Sequence, residues 1–192
     1  MQLLQMFETS IVCFSMGYEA MGVWDYPEDA RALHLLLEHE RAPRMDFVVN
    51  CMSYTRLQDE QNCAHVRCIG EHYLNLNAVL FLNEEKMKGD LESIKTQLQE
   101  KLLERTNETH PEPIQIGFMS RQGRHRSIAV CRFTIEVLKR KGYNVAKKPV
   151  HLSQSMWEPD QCSTCESCDT NSEGKEFLYE MAVQVWNSLP GY

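Results

Sequence analysis

Residues 114–140 read IQIGFMSRQGRHRSIAVCRFTIEVLKR, and this stretch predicts the class of fold. Its first part, Ile114 to Met119, is mostly apolar and predicts a buried strand. From about His125 to Lys141, apolar residues recur every three or four positions. This spacing predicts a helix whose basic last turn suits the negative helix end, with Gly142 as the stop. A strand joined to a helix by a short loop is typical of α/β proteins.

The same alternation extends along the rest of the chain. Further strands are predicted at Ser10–Met16, Asp46–Met52 and Asn144–Leu152, and further helices at Glu28–Glu40, Glu84–Arg105 and Glu176–Leu189. Asn83 is the expected N-cap of the helix that starts at Glu84. The order predicts an α/β fold with a mostly parallel sheet of about four strands and helices on both faces. We expect residues 1–152 to form this domain. Residues 153–192, a cysteine-bearing loop and a C-terminal helix, are expected to pack on it.

The composition narrows the classes of function. With 192 residues, 43% of them hydrophobic and 24% charged, the chain has enough apolar residues for a core of ordinary size. A formal net charge of -7 is unlike the broad basic surface of a general nucleic-acid binder. No apolar stretch approaches the length of a membrane span, and no basic residue precedes the first apolar run as in a signal peptide. We therefore expect a cytoplasmic protein with no membrane partner.

The loop between the predicted strand and helix concentrates groups that bind anions. It consists of Ser120, Arg121, Gln122, Gly123, Arg124, His125, Arg126 and Ser127. The start of a helix offers unpaired N–H groups and a positive dipole end, and guanidinium groups bind phosphate in bidentate fashion. Helix N-termini usually carry acidic side chains, so this much positive charge indicates a bound anion. The alternative is a solvated basic turn whose arginines pair with surface carboxylates.

The loop also resembles two known families. The spacing Ser120-x5-Arg126-Ser127 is similar to the phosphate loop Cys-x5-Arg-Ser/Thr of tyrosine and dual-specificity phosphatases. It resembles more closely the loop Gly-Cys-Thr-Gly-Gly-x-His-Arg-Ser in the C-terminal domain of the RNase adapter protein RapZ. Four positions agree with that loop, namely Gly123, His125, Arg126 and Ser127. Ser120 stands where both families have cysteine, and Gln122 replaces one glycine.

Weaker similarities to the RapZ C-terminal-like family flank the loop. They are Phe14 and Tyr18 after the first strand, Cys51-Met52 in the second strand, and the pair Val150-His151. The resemblance covers roughly residues 10–152. It implies binding of an aminosugar phosphate and a role as an RNA or protein adaptor.

The sequence therefore predicts non-catalytic binding of a phosphorylated ligand at residues 120–127. The ligand is expected to be a sugar phosphate, a nucleotide or an RNA phosphate, and no organic cofactor is evident. Two alternatives stay open. One is a phosphatase-like phosphoester hydrolase, which would need a nucleophile other than the thiolate those enzymes use. The other is a zinc-stabilised protein-interaction module. A protein partner or a homo-oligomer is compatible with each of these hypotheses.

A cysteine cluster near the C-terminus has the spacing of metal ligands. Cys162, Cys165 and Cys168 form two overlapping Cys-x2-Cys units, and the chain has eight cysteines in all. A structural zinc takes four ligands, and His151 is the leading candidate for the fourth. Other candidates are His65, Cys63, Cys68 and Asp169. The competing interpretation is a polar loop with reduced thiols.

Overall fold

The computed structural model describes residues 9–19, 43–55, 70–105, 108, 111–154 and 172–190. These ranges contain four strands: β1 (Ile11–Gly17), β2 (Phe47–Asn50), β3 (Ile114–Ser120) and β4 (Val150–His151). They also contain four helices: α1 (Tyr73–Phe81), α2 (Glu84–Arg105), α3 (Arg126–Arg140) and α4 (Ser172–Ser188). Among them, no helix has the length and apolar character needed to cross a membrane.

The strands form one parallel sheet in the order β2-β3-β1-β4. The two central strands pair along their whole length, from Ile11 opposite Ile114 to Gly17 opposite Ser120. An α/β fold with a four-stranded parallel sheet is therefore confirmed. Because all four strands run the same way, their carboxyl ends meet at one edge of the sheet, and the loops that follow them lie together there.

The two faces of the sheet carry different packing. On one face, alternate residues such as Ile11, Cys13 and Ile116 join a large core with apolar side chains of all four helices. Helix α3 packs against β1 and β3, and α2 packs against β2 and β3. The opposite face carries a smaller cluster around Phe14, Met16, Tyr18 and Met119. The helix predicted at Glu28–Glu40 lies outside the described ranges, so helices on both faces stay a prediction.

Two elements differ from the predictions for physical reasons. Helix α1 was not predicted because its buried residues, Asn75, Leu76, Ala78, Val79 and Leu80, are nearly consecutive and leave no helical period to detect. Strand β4 is only two residues long, whereas Asn144–Leu152 was expected. The preceding Val145 forms only an isolated bridge to Ile11. Pro149 lies between the two and has no N–H for a ladder.

Asn83 lies at the start of α2, as expected for an N-cap, and its carbonyl oxygen accepts the N–H of Met87 at 2.8 Å. Its side chain bonds both across the fold and back to the end of α1. The Oδ1 atom accepts the N–H of Thr55 at 2.6 Å. The Nδ2 atom donates to the carbonyl oxygens of Thr55, Ala78 and Val79 at 3.2, 3.3 and 3.1 Å. Asn83 therefore ties the segment after β2 to the junction of α1 and α2.

Candidate anion-binding site

The loop 120–127 lies at the carboxyl edge of the sheet, between the chain segments that leave β1 and β2. On one side, Tyr18 and Glu19 donate backbone N–H groups to the carbonyl oxygens of Ser120 and Arg121 at 3.2 and 3.0 Å. On the other side, the N–H of Cys51 donates to the carbonyl of Met119 at 2.8 Å. In open α/β sheets, ligands bind at this edge, near the point where connections diverge.

Three glycines allow the backbone to approach the loop closely. Gly123 has φ +70°, and a Cβ atom there would lie 2.5 Å from the backbone nitrogen of Gly17. A Cβ on Gly17 would lie 2.2 Å from the carbonyl carbon of Gln122. On another side of the loop, a Cβ on Gly70 would lie 2.1 Å from the carbonyl oxygen of His125. The N–H of Gly70 also donates to the carbonyl of Arg124 at 2.9 Å. Backbone contacts that exclude any side chain therefore define the shape of the loop.

A hydroxyl pair joins the two ends of the loop. The Oγ of Ser120 donates to the Oγ of Ser127 at 3.0 Å, and both residues are buried. This bond links the last residue of β3 to the first turn of α3. That turn contains no acidic residue, and the His125 side chain does not cap it. The N-terminal N–H groups and the positive end of the helix dipole therefore favour an anion at this end of the helix.

Six of the eight predicted residues line one pocket of ≈ 50 Å³: Ser120, Arg121, Gln122, Arg124, His125 and Arg126. Three are arginines and one is a histidine, and none of the six is acidic. The two remaining predicted residues shape the loop, since Gly123 provides the left-handed turn and Ser127 binds Ser120. The structure thus brings the predicted residues together in one small polar pocket.

The guanidinium of Arg126 is held by backbone carbonyl oxygens after β2. Its Nη1 atom donates to the carbonyl of Met52, and it lies 3.4 Å from the carbonyl of Tyr54. A guanidinium has five N–H donors in a fixed plane, so binding through one edge orients the others. These acceptors could not be predicted from the sequence, because every residue has a backbone carbonyl and the residue type does not show which one is used.

Arg121 differs from the other basic residues of the loop. Its side chain is 62% exposed and pairs with the carboxylate of Glu19. This hydrogen bond raises the pKa of Arg121. The side chain of Glu19 is only 15% exposed, so this carboxylate partly offsets the positive charge of the loop at Arg121. For this one arginine, the structure shows the pairing with a carboxylate that the alternative interpretation expected, although Glu19 is mostly buried.

The thiol of Cys51, the residue that follows β2, is a candidate replacement nucleophile because its backbone bonds to Met119, next to the loop. Cys51 is fully buried, and its Sγ donates to the carbonyl of Val49 at 3.6 Å. Burial raises the pKa of Cys51 far above the ordinary range, and the carboxylate of Asp90 adds to this effect. Because the thiolate is the reactive form, Cys51 is unsuited to the role of nucleophile.

The predicted metal ligands are only partly within the described ranges. Cys162, Cys165 and Cys168 lie outside them, as do the alternative ligands His65, Cys63, Cys68 and Asp169. Elsewhere, no group of three or more His, Cys, Asp or Glu residues that could hold a metal is found in the described part of the chain. The zinc site therefore stays a prediction.

His151, the expected fourth zinc ligand, is described and lies at the carboxyl end of β4. Its Nδ1 is 2.6 Å from the Oγ of Ser15, and its Nε2 is 3.9 Å from the Oε1 of Glu71. Burial lowers the pKa of His151, and Glu71 acts in the opposite direction. Ser15 therefore contacts one ring nitrogen of His151, and the carboxylate of Glu71 faces the other.

Comparisons of the chain with protein-family models, with curated proteins and with solved structures find no match. The resemblance of the loop to the RapZ C-terminal-like family therefore stays a prediction.

Proposed function

We propose that this chain is a non-catalytic domain that binds a phosphorylated ligand at residues 120–127. The observation that carries the proposal is the pocket at the start of α3. Three arginines and a histidine line it without an acidic residue, around a loop held in shape by glycine contacts. Basic side chains gathered at a helix N-terminus in this way favour a bound anion.

The size and donors of the pocket favour a phosphate group over a larger anion. At ≈ 50 Å³, the pocket is of a size to hold one small oxyanion. Guanidinium and backbone N–H donors match the several oxygens of a phosphate. The sugar, nucleoside or RNA chain that carries the phosphate would therefore lie outside the pocket. A phosphorylated aminosugar, or an adaptor role toward RNA or protein, fits the RapZ-like character of the loop.

The ligand class can be tested by thermal unfolding in the presence of matched compound pairs. Inorganic phosphate, sugar phosphates and nucleotides are compared with the same sugars and nucleosides without phosphate. A ligand at one hundred times its Kd adds about 2.7 kcal/mol to the free energy of unfolding. For a chain of this size, that corresponds to a rise in Tm of roughly 5–10 °C. Stabilisation by the phosphate-free compounds to the same extent would contradict the proposal.

A second prediction concerns catalysis, and it separates binding from phosphatase-like hydrolysis. The Ser120 hydroxyl is buried and donates to Ser127, a residue that cannot act as a general base. We therefore expect no turnover of p-nitrophenyl phosphate above the uncatalysed rate, measured at 405 nm over hours at high protein concentration. Hydrolysis by the unmodified protein that disappears in Ser120→Ala would establish the enzyme alternative instead.

A further inference from the structure

We propose that Asn83 is a positioning residue for Arg126 and thereby sets the anion affinity of the pocket. The inference rests on the proposed function, because the affinity in question is that of the loop 120–127. Asn83 lies outside that loop, at the junction of α1 and α2. Three observations connect the two residues.

The first connection is between Arg126 and the segment that follows β2. The Nη1 atom of Arg126 donates to the carbonyl of Met52, and the carbonyl of Tyr54 lies 3.4 Å away. Both acceptors belong to residues 52–55, which continue beyond the last strand residue. The orientation of the guanidinium therefore depends on where this short segment is held.

The second connection is between that segment and the helices. The N–H and the carbonyl of Thr55 both bond to the Asn83 side chain, at 2.6 and 3.2 Å. The side chain of Tyr54 is buried, and its hydroxyl lies 3.8 Å from the sulfur of Met87. The ammonium of Lys86 lies 5.3 Å from the centre of the Tyr54 ring. Residues 54 and 55 are thus fixed to α2 and to the residue before it.

The third observation is that Asn83 is itself rigidly held. It is 8% exposed, and its Nδ2 atom also donates to the carbonyls of Ala78 and Val79 at the end of α1. One amide therefore bridges the end of α1 and the segment that carries the acceptors of Arg126. Holding a binding group in place before the ligand arrives lowers the entropy that binding must overcome. Asn83 supplies this effect without a contact to the anion.

The test compares Asn83→Ala with a control at the opposite end of β2. Asp46 precedes that strand, where its carboxylate pairs with Arg105 at 2.6 Å and accepts the N–H of Gln115 at 2.8 Å. Asp46→Ala removes partly buried bonds too, but far from the pocket. Both variants should lower the Tm. At a temperature where both remain folded, Asn83→Ala should weaken the binding of inorganic phosphate about tenfold, whereas Asp46→Ala should leave the Kd unchanged.

A measurement without ligand separates positioning from binding. The Nε–Hε signal of Arg126 in a ¹⁵N-correlated NMR spectrum should shift or broaden in Asn83→Ala and stay in place in Asp46→Ala. Asn83→Asp keeps the acceptor for Thr55 and serves where the alanine variant does not fold, with the same expected displacement. An unmoved Arg126 signal, or an equal loss of affinity in the Asp46 variant, would overturn the inference. A wild-type protein that binds no phosphate while the Arg126 signal responds to Asn83 would overturn the proposed function alone.

Discussion

Arg126→Ala is expected to remove most of the affinity of the protein for inorganic phosphate and for phosphorylated ligands. The substitution deletes the guanidinium that lines the pocket and is oriented by the carbonyls of Met52 and Tyr54. Hydrogen bonds to charged groups contribute about 1.5–3 kcal/mol each. One such bond corresponds to a factor of roughly 10–150 in Kd. Titration calorimetry of the two proteins at physiological ionic strength gives the comparison directly.

Lys139→Ala is the matched control, since it removes one positive charge from the same helix. Lys139 lies near the other end of α3, where it pairs with Glu136 at 3.0 Å. The two positions are roughly 20 Å apart along the helix, farther than the Debye length of about 8 Å in physiological salt. The control should therefore bind phosphate as the wild type does. Equal losses in the two variants would indicate attraction by overall charge and would refute a defined site.

Gly123→Ala should cost more stability than any surface substitution and should also abolish anion binding. The residue has φ +70°, and its Cβ would lie 2.5 Å from the nitrogen of Gly17 and 2.7 Å from the carbonyl carbon of Met16. Left-handed backbone strain and overpacking each contribute about 1–3 kcal/mol. Because both contacts are backbone atoms of a central strand, the loop must move. Chemical denaturation monitored by circular dichroism measures the loss.

Gly89→Ala provides the same chemical change with the opposite expected sign. Gly89 lies inside α2, in its second turn, and a Cβ there would meet no atom within 4 Å. Alanine in a helix interior is favoured over glycine by about 1 kcal/mol. The Gly89 variant should therefore be slightly more stable than the wild type. If Gly123→Ala were also neutral or stabilising, the glycine contacts described here would not determine the shape of the loop.

Much of the fold could be predicted from the sequence because several elements repeat with a clear period. Helix α2 has the predicted bounds, and β1, β3, α3 and α4 lie within a few residues of theirs. Each of these elements has a periodic apolar pattern or a terminating residue that can be recognised in a single sequence. Helix α1 has neither, since most of its residues are apolar. Strand β4 is shorter than its sequence pattern predicts because Pro149, directly before it, has no N–H for the ladder.

The residues of the candidate site could be predicted from the sequence, but the distant residues that hold them in place could not. The loop 120–127 is contiguous and unusual in charge, so its members could be named from the sequence. Its partners are distant in the chain and chemically ordinary: Glu19 pairs with Arg121, and the carbonyls of Met52 and Tyr54 hold Arg126. Among the distant residues that contact the loop, Gly17 and Gly70 are the ones whose residue type could have indicated the contact. A glycine at a strand end or in a polar stretch often marks a close backbone approach.

The close backbone contacts of Gly17, Gly70 and Gly123 around one loop also restrict which residues related proteins can have at these positions. Each position excludes a side chain because a different stretch of backbone occupies the space, so the three constraints act together during evolution. Chains that diverge from this one while keeping the loop should retain glycine at all three positions, even where the arginines change to suit another ligand. A triplet of glycines with this spacing, one at the end of the first strand, one before α1 and one ahead of α3, is therefore a signature by which distant relatives could be recognised.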